Sequence, residues 1–209
     1  MNRVKRKAAQ YWQHPFLEIK HNFIELSPTT KLLLTAILSS FAAIFQSAGG
    51  YMPGIGFIVS AMATLPIFLA AIISIRYGVL SYFVTIPLLL LLQPSELIIF
   101  PFTTGILGLA LGIAFSMSKP RLFVVLTAGF ILFIGIIVLL YLFRFPVLGP
   151  AVDTSFHFLS ILIVVIFCIL YAWLAAVACS FVLKRLVHKT LKPEDDSVKE
   201  KNIKNGKKS

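Results

Sequence analysis

Acidic residues are scarce in this chain. Eight Asp and Glu stand against nineteen Lys and Arg, and the 152 residues from Leu32 to Leu183 hold only two acids among six charges: Arg76, Glu96, Lys119, Arg121, Arg144 and Asp153. So few charges over that length exclude a water-soluble globule, in which about a quarter of residues are charged. Cysteine is nearly missing too. Cys168 and Cys179 lie eleven residues apart in one apolar run, so on a helix they share a face at about 16 Å along the axis, too far for a disulfide. The sequence has no Gly-x-Ser-x-Gly, no His-Glu-x-x-His and no phosphate-gripping loop, so no enzymatic class is indicated and no cofactor is expected.

What the chain has in quantity is apolar surface: 58% of residues are apolar and the mean hydropathy is +0.92. Six runs of membrane-spanning character are expected at Thr30 to Ser47, Phe57 to Ile75, Val79 to Leu92, Glu96 to Phe115, Arg121 to Phe143 and His157 to Leu183, separated by segments rich in Gly, Pro or charge. The third is the shortest and would reach only about 21 Å. Ser27 and Pro28 supply an N-cap and a first-turn proline for the first span. That span follows too long a lead to be a signal peptide and is read as uncleaved.

The net charge of +11 belongs to the tails. With the N-terminus inside, eighteen of the nineteen Lys and Arg face the cytoplasm and only Arg144 faces out, which predicts a multi-pass cell-membrane protein with both termini cytoplasmic. Basic residues beside spans contact anionic headgroups, so the lipid bilayer is the expected partner and nucleic acid is not. Residues 1–29 form a cytoplasmic or interfacial amphipathic segment, in which Trp12, Phe16, Ile19, Phe23 and Leu26 share one helical face. Residues 184–209 read as a basic disordered cytoplasmic tail. The fold class is therefore all-α, a polytopic six-helix transmembrane bundle with an amphipathic N-terminal helix on the cytoplasmic side.

Pro66, Pro87 and Pro101 fall inside apolar runs and free backbone carbonyls, as happens beside cavities and packed neighbours. Together with the polar residues near them and toward the outer surface, they suggest a solute cavity lined by Gln46, Tyr51, Tyr82, Glu96, Thr103 and Thr104. For any single hydroxyl, a bond back to its own helix is the simpler reading. Glu96 also complements a helix dipole without any ligand. Asp153 and His157 stand i, i+4, but two ligands make a weak metal signal; helix capping by Asp153, Thr154 or Ser155 is favoured, and no metal is expected. Small residues recur every four positions at Ala36/Ser40, at Ser39/Ala43/Ser47 and at Thr104/Gly108/Gly112, where helices approach closely. Packing inside the bundle is the default for these, with docking of a partner subunit at Ser39, Ala43 and Ser47 the alternative.

The stretches from Leu65 to Ala71, Ile75 to Leu80 and Pro101 to Gly112 resemble the substrate-binding S subunits of energy-coupling-factor vitamin transporters and a related group of bacterial six-helix membrane proteins. The resemblance covers roughly Leu32 to Phe115. It implies a bundle that captures a small solute outside and passes it inward with a membrane coupling subunit and two ATPases, which a small-residue ridge on the first helix would contact. The alternative function is a non-catalytic accessory or scaffold protein.

Overall fold

The computed structural model describes residues 26–52, 54–117, 120–143 and 158–206, with side chains in the last segment described over 161–186. Within these residues the chain is helical: α1 (Pro28–Tyr51), α2 (Ile55–Ala61), α3 (Thr64–Ile73), α4 (Ile75–Leu92), α5 (Glu96–Phe102), α6 (Thr104–Ser116), α7 (Arg121–Ile137) continued by a π-helical turn (Val138–Leu142), and α8 (Phe158–Gly206). With α2–α3 and α5–α6 each forming one span, six helices are long and apolar enough to cross a membrane. The protein is an all-helical, multi-pass membrane chain.

The second and fourth spans make the centre, and both are broken. α3 packs on α6, with α1 and α4 on one flank and α7 and α8 on the other. Each break follows a seven-residue helix that starts at the same end of the bundle, so the two interruptions lie at matching depth, about 10 Å in. Pro66 does not itself make the second-span break. It sits in the first turn of α3, where a missing N–H costs nothing, and the chain turns at Met62 and Ala63. Pro101 does precede a break, at Thr103, while Pro87 lies inside a continuous α4.

Close helix contact in the centre depends on small residues. A Cβ on Gly108 would stand 2.7 Å from the Thr64 carbonyl oxygen, and one on Gly112 would meet Ala71, so the Thr104/Gly108/Gly112 ridge is the face that α3 packs against. Phe68, Ile72, Leu107, Leu111, Val124 and Leu132 fill the core on the α7–α8 flank, while Ala42, Ala43, Ile67, Leu89 and Phe100 fill the α1–α4 flank. On α8 the buried stripe is narrow, running through Val164, Cys168, Ala172, Ala176, Cys179 and Leu183, and both thiols are free.

Three boundaries depart from the sequence expectations. The third span has eighteen residues, about 27 Å, because Arg76, Tyr77 and Gly78 continue the helix and the turn is made at Ser74. Gly78 is there for packing: a Cβ on it would lie 2.6 Å from the Ala71 Cα. The first helix runs through Gly49 and Gly50 to Tyr51. The last helix continues through Pro193 to Gly206, where a disordered tail is expected. Ser27 does cap α1, its hydroxyl accepting from the Thr30 N–H at 3.2 Å, with Pro28 in the first turn. The amphipathic segment before Leu26, and Asp153 with His157, lie outside the described residues.

Candidate functional site

Three of the six residues predicted to line a cavity meet in space. Gln46, near the end of α1, stands between Glu96, the first residue of α5, and Thr104, the first residue of α6. The Thr104 hydroxyl donates to Gln46 Oε1 at 2.5 Å, and Gln46 Nε2 donates to Glu96 Oε2 at 2.7 Å. All three are buried, Glu96 being 5% exposed. The amide of Gln46 thus uses its acceptor on one side and a donor on the other, an orientation set by the difference between a hydroxyl and a carboxyl partner.

Room for the carboxyl comes from Gly49, one turn beyond Gln46. A Cβ there would stand 2.8 Å from Glu96 Oε1 and 3.3 Å from the Ser60 Cβ, so a larger residue would push the carboxyl from its place beside α1 and α2. Gly49 and Ser60 are the residues sequence reasoning missed: the Gly49-Gly50 pair reads as a loop, and Ser60 has no partner in sequence. Among residues with described side chains Glu96 is the only acid, and the described bases, Lys31, Arg76, Arg121, Lys184 and Arg185, are all near the opposite end of their spans. No described cation neutralises it locally.

The other candidates do different work. Tyr82 donates to the Pro101 carbonyl at 3.1 Å, an acceptor left without its helical partner by the break at Thr103, and so repairs the interruption. Thr103 bonds back to the Ile99 carbonyl at 2.8 Å. Tyr51 is exposed and ties the end of α1 to the Leu92 carbonyl at 2.5 Å.

The ridge offered for partner docking faces inward. Ser39 and Ala43 are wholly buried, Ser47 nearly so, and the Ser39 hydroxyl donates to the Thr35 carbonyl at 2.8 Å and is hydrogen-bonded to Ser81 Oγ on α4 at 2.9 Å. Thr85 Oγ1 bonds the Ser81 carbonyl at 2.8 Å in the same seam. A partner helix has no access to these three residues while they stay buried. Ala36 and Ser40, at the margin of the same face of α1, are small and exposed.

A separate cavity of about 210 Å³ lies between the α2–α3 break and α8, lined mainly by apolar side chains such as Ile58, Leu65 and Leu174. The buried Thr64 hydroxyl borders it without a hydrogen bond of good geometry. No group of three or more His, Cys, Asp or Glu side chains is assembled among the described residues. The chain matches no family model, no curated protein and no solved structure.

Proposed function

We propose that this protein is the membrane-embedded solute-binding subunit of a small-solute uptake transporter, in which Gln46, Glu96 and Thr104 contact the solute from the outward end. The observation that supports this is the placement of Glu96. A carboxyl group inside an apolar bundle is costly, and such groups are retained where they serve a pathway or a ligand. Here it sits where α1 and the short helix α2 converge, joined through Gln46 to Thr104 at the break in the fourth span, and broken spans are where transporters bind solutes. A carboxyl-centred site favours a cationic solute or one rich in hydrogen-bond donors.

In this reading the termini are cytoplasmic, since the described bases gather at the end opposite Glu96. The partners are the bilayer and a coupling subunit with its ATPases, which would approach α1 on the Ala36 and Ser40 side. A second reading, an accessory or scaffold protein, is favoured by one feature: Gln46, Glu96 and Thr104 already bond one another and leave little exposed.

The two readings separate in a thermal-shift screen of vitamins, amines and metal ions. A transport subunit is stabilised by at least one of them, whereas an accessory protein by none, while still retaining its partner when purified from native membranes. Cysteines placed at Asn2 and Ser209 should resist a membrane-impermeant label in intact cells; labelling of either overturns the orientation.

A further inference from the structure

The end of the bundle opposite Glu96 carries an open groove of about 870 Å³ between the start of α1, the α3–α4 turn and the end of α6. Its polar lining is Lys31, Arg76, Ser74, Tyr77 and Ser116, and its floor is apolar, with Ile72 and Leu80 among the larger side chains. Among the described residues, no Asp or Glu lines it. Arg76 is exposed, and the Ser74 hydroxyl makes no bond to the helix that follows it.

Each part of that lining selects something different. The exposed Arg76 guanidinium, with Lys31 and three hydroxyls around the same groove, selects an anion with several acceptor oxygens, and a guanidinium matches a phosphate diester well. The apolar floor selects hydrocarbon, which a free phosphate does not have. The groove is also far larger than a phosphate ion, within the range of about 300–1,000 Å³ typical of sites for whole organic ligands. The spans begin and end here, at the level where phospholipid headgroups stand, so the molecule that combines a phosphate with hydrocarbon is already present.

We propose that this groove is a binding site for one anionic phospholipid, whose phosphate is held by Arg76 and Lys31 and whose first chain carbons lie on Ile72 and Leu80. The lipid would then join the start of α1 to the α3–α4 turn. A zwitterionic phosphatidylcholine brings a cation of its own toward Arg76 and Lys31 and binds less well. The site is independent of the solute reading, because none of its residues belongs to the Gln46–Glu96–Thr104 cluster.

The test uses the full chain in nanodiscs of equal parts phosphatidylglycerol and phosphatidylcholine, followed by release into mild detergent and native mass spectrometry. The expected result is one phosphatidylglycerol retained per chain, favoured over phosphatidylcholine by about tenfold or more. Arg76→Gln combined with Lys31→Gln should bring that ratio close to unity, while Arg76→Lys keeps most of it. Arg185→Gln removes a cation from the same end of the bundle but outside the groove, and should leave the ratio unchanged. Equal retention of the two lipids by the wild type overturns the proposal, as does a loss in Arg185→Gln as large as in the double variant. Added inorganic phosphate should not displace the lipid; if it does so at low millimolar concentration, the groove reads a free anion and the lipid assignment is wrong.

Discussion

At the end of the bundle where Glu96 lies, the polar side chains are buried and bonded to one another, whereas at the Arg76 end the charged side chains stand around an open groove. The same membrane boundary is met in two ways. The basic end leaves Arg76 exposed and keeps its helices continuous, α3 and α4 meeting at the single residue Ser74. The other end takes a carboxyl into the protein, uses a glycine to make space for it, and has both central spans interrupted just below. The contrast shows where the fold concentrates local cost. A bundle that needed only to be packed could have filled the positions of Gln46, Glu96 and Thr104 with apolar residues and avoided burying polar groups.

The largest effect is expected where a side chain would collide with backbone at the interrupted span. Gly135 on α7 lies against the Phe102 carbonyl, just before the break, and a Cβ there would overlap that oxygen. Gly135→Leu should cost about 3 kcal/mol or more and abolish recovery of a folded monomer by size-exclusion chromatography. Ala43→Leu should cost about 2 kcal/mol, because Ala43 is wholly buried between helices. A stable Ala43→Leu monomer that only loses a partner would restore this ridge as a docking face.

Next in size is Gln46→Leu, which leaves the Thr104 hydroxyl and the Glu96 carboxyl without their shared partner. A loss of about 2 kcal/mol is expected in chemical denaturation. Arg76→Gln, tested in lipid-free detergent, should change stability by no more than about 0.5 kcal/mol. If these two variants lower stability equally, the contrast between the ends is wrong. Ser39→Ala removes one hydroxyl from the α1–α4 seam, and transmembrane hydrogen bonds of that kind are worth about 0.6 kcal/mol. It should give the smallest resolvable loss.

Much of the fold is legible in the sequence because hydropathy and breakers act locally. The six spans, the Ser27–Pro28 helix start and the Gly108/Gly112 ridge need no knowledge of neighbours. What is not legible depends on which helix stands opposite. Arg76-Tyr77-Gly78 looks like a break, yet Gly78 belongs to a helix and faces Ala71; the Ser39 ridge suits both bundle packing and partner docking, and its contact with Ser81 shows only in the structure. The candidate site divides along the same line. Gln46, Glu96 and Thr104 stood out as polar residues in apolar runs, but Thr103, Tyr82 and Tyr51 share that signature and are used by carbonyls of the bundle itself. Composition does not distinguish a hydroxyl that repairs a helix break from one that joins a buried cluster.

The central claim is that the Glu96 carboxyl is kept for a solute, and the most direct measurement is the affinity of a stabilising solute for the wild type and for Glu96→Gln. The substitution preserves size and removes the charge, so folding should change little, while losing one charged contact typically costs about 2 kcal/mol. The account predicts binding weakened at least about tenfold in Glu96→Gln with nearly the same melting temperature. Equal affinity in the two proteins would contradict it and leave the cluster as packing alone.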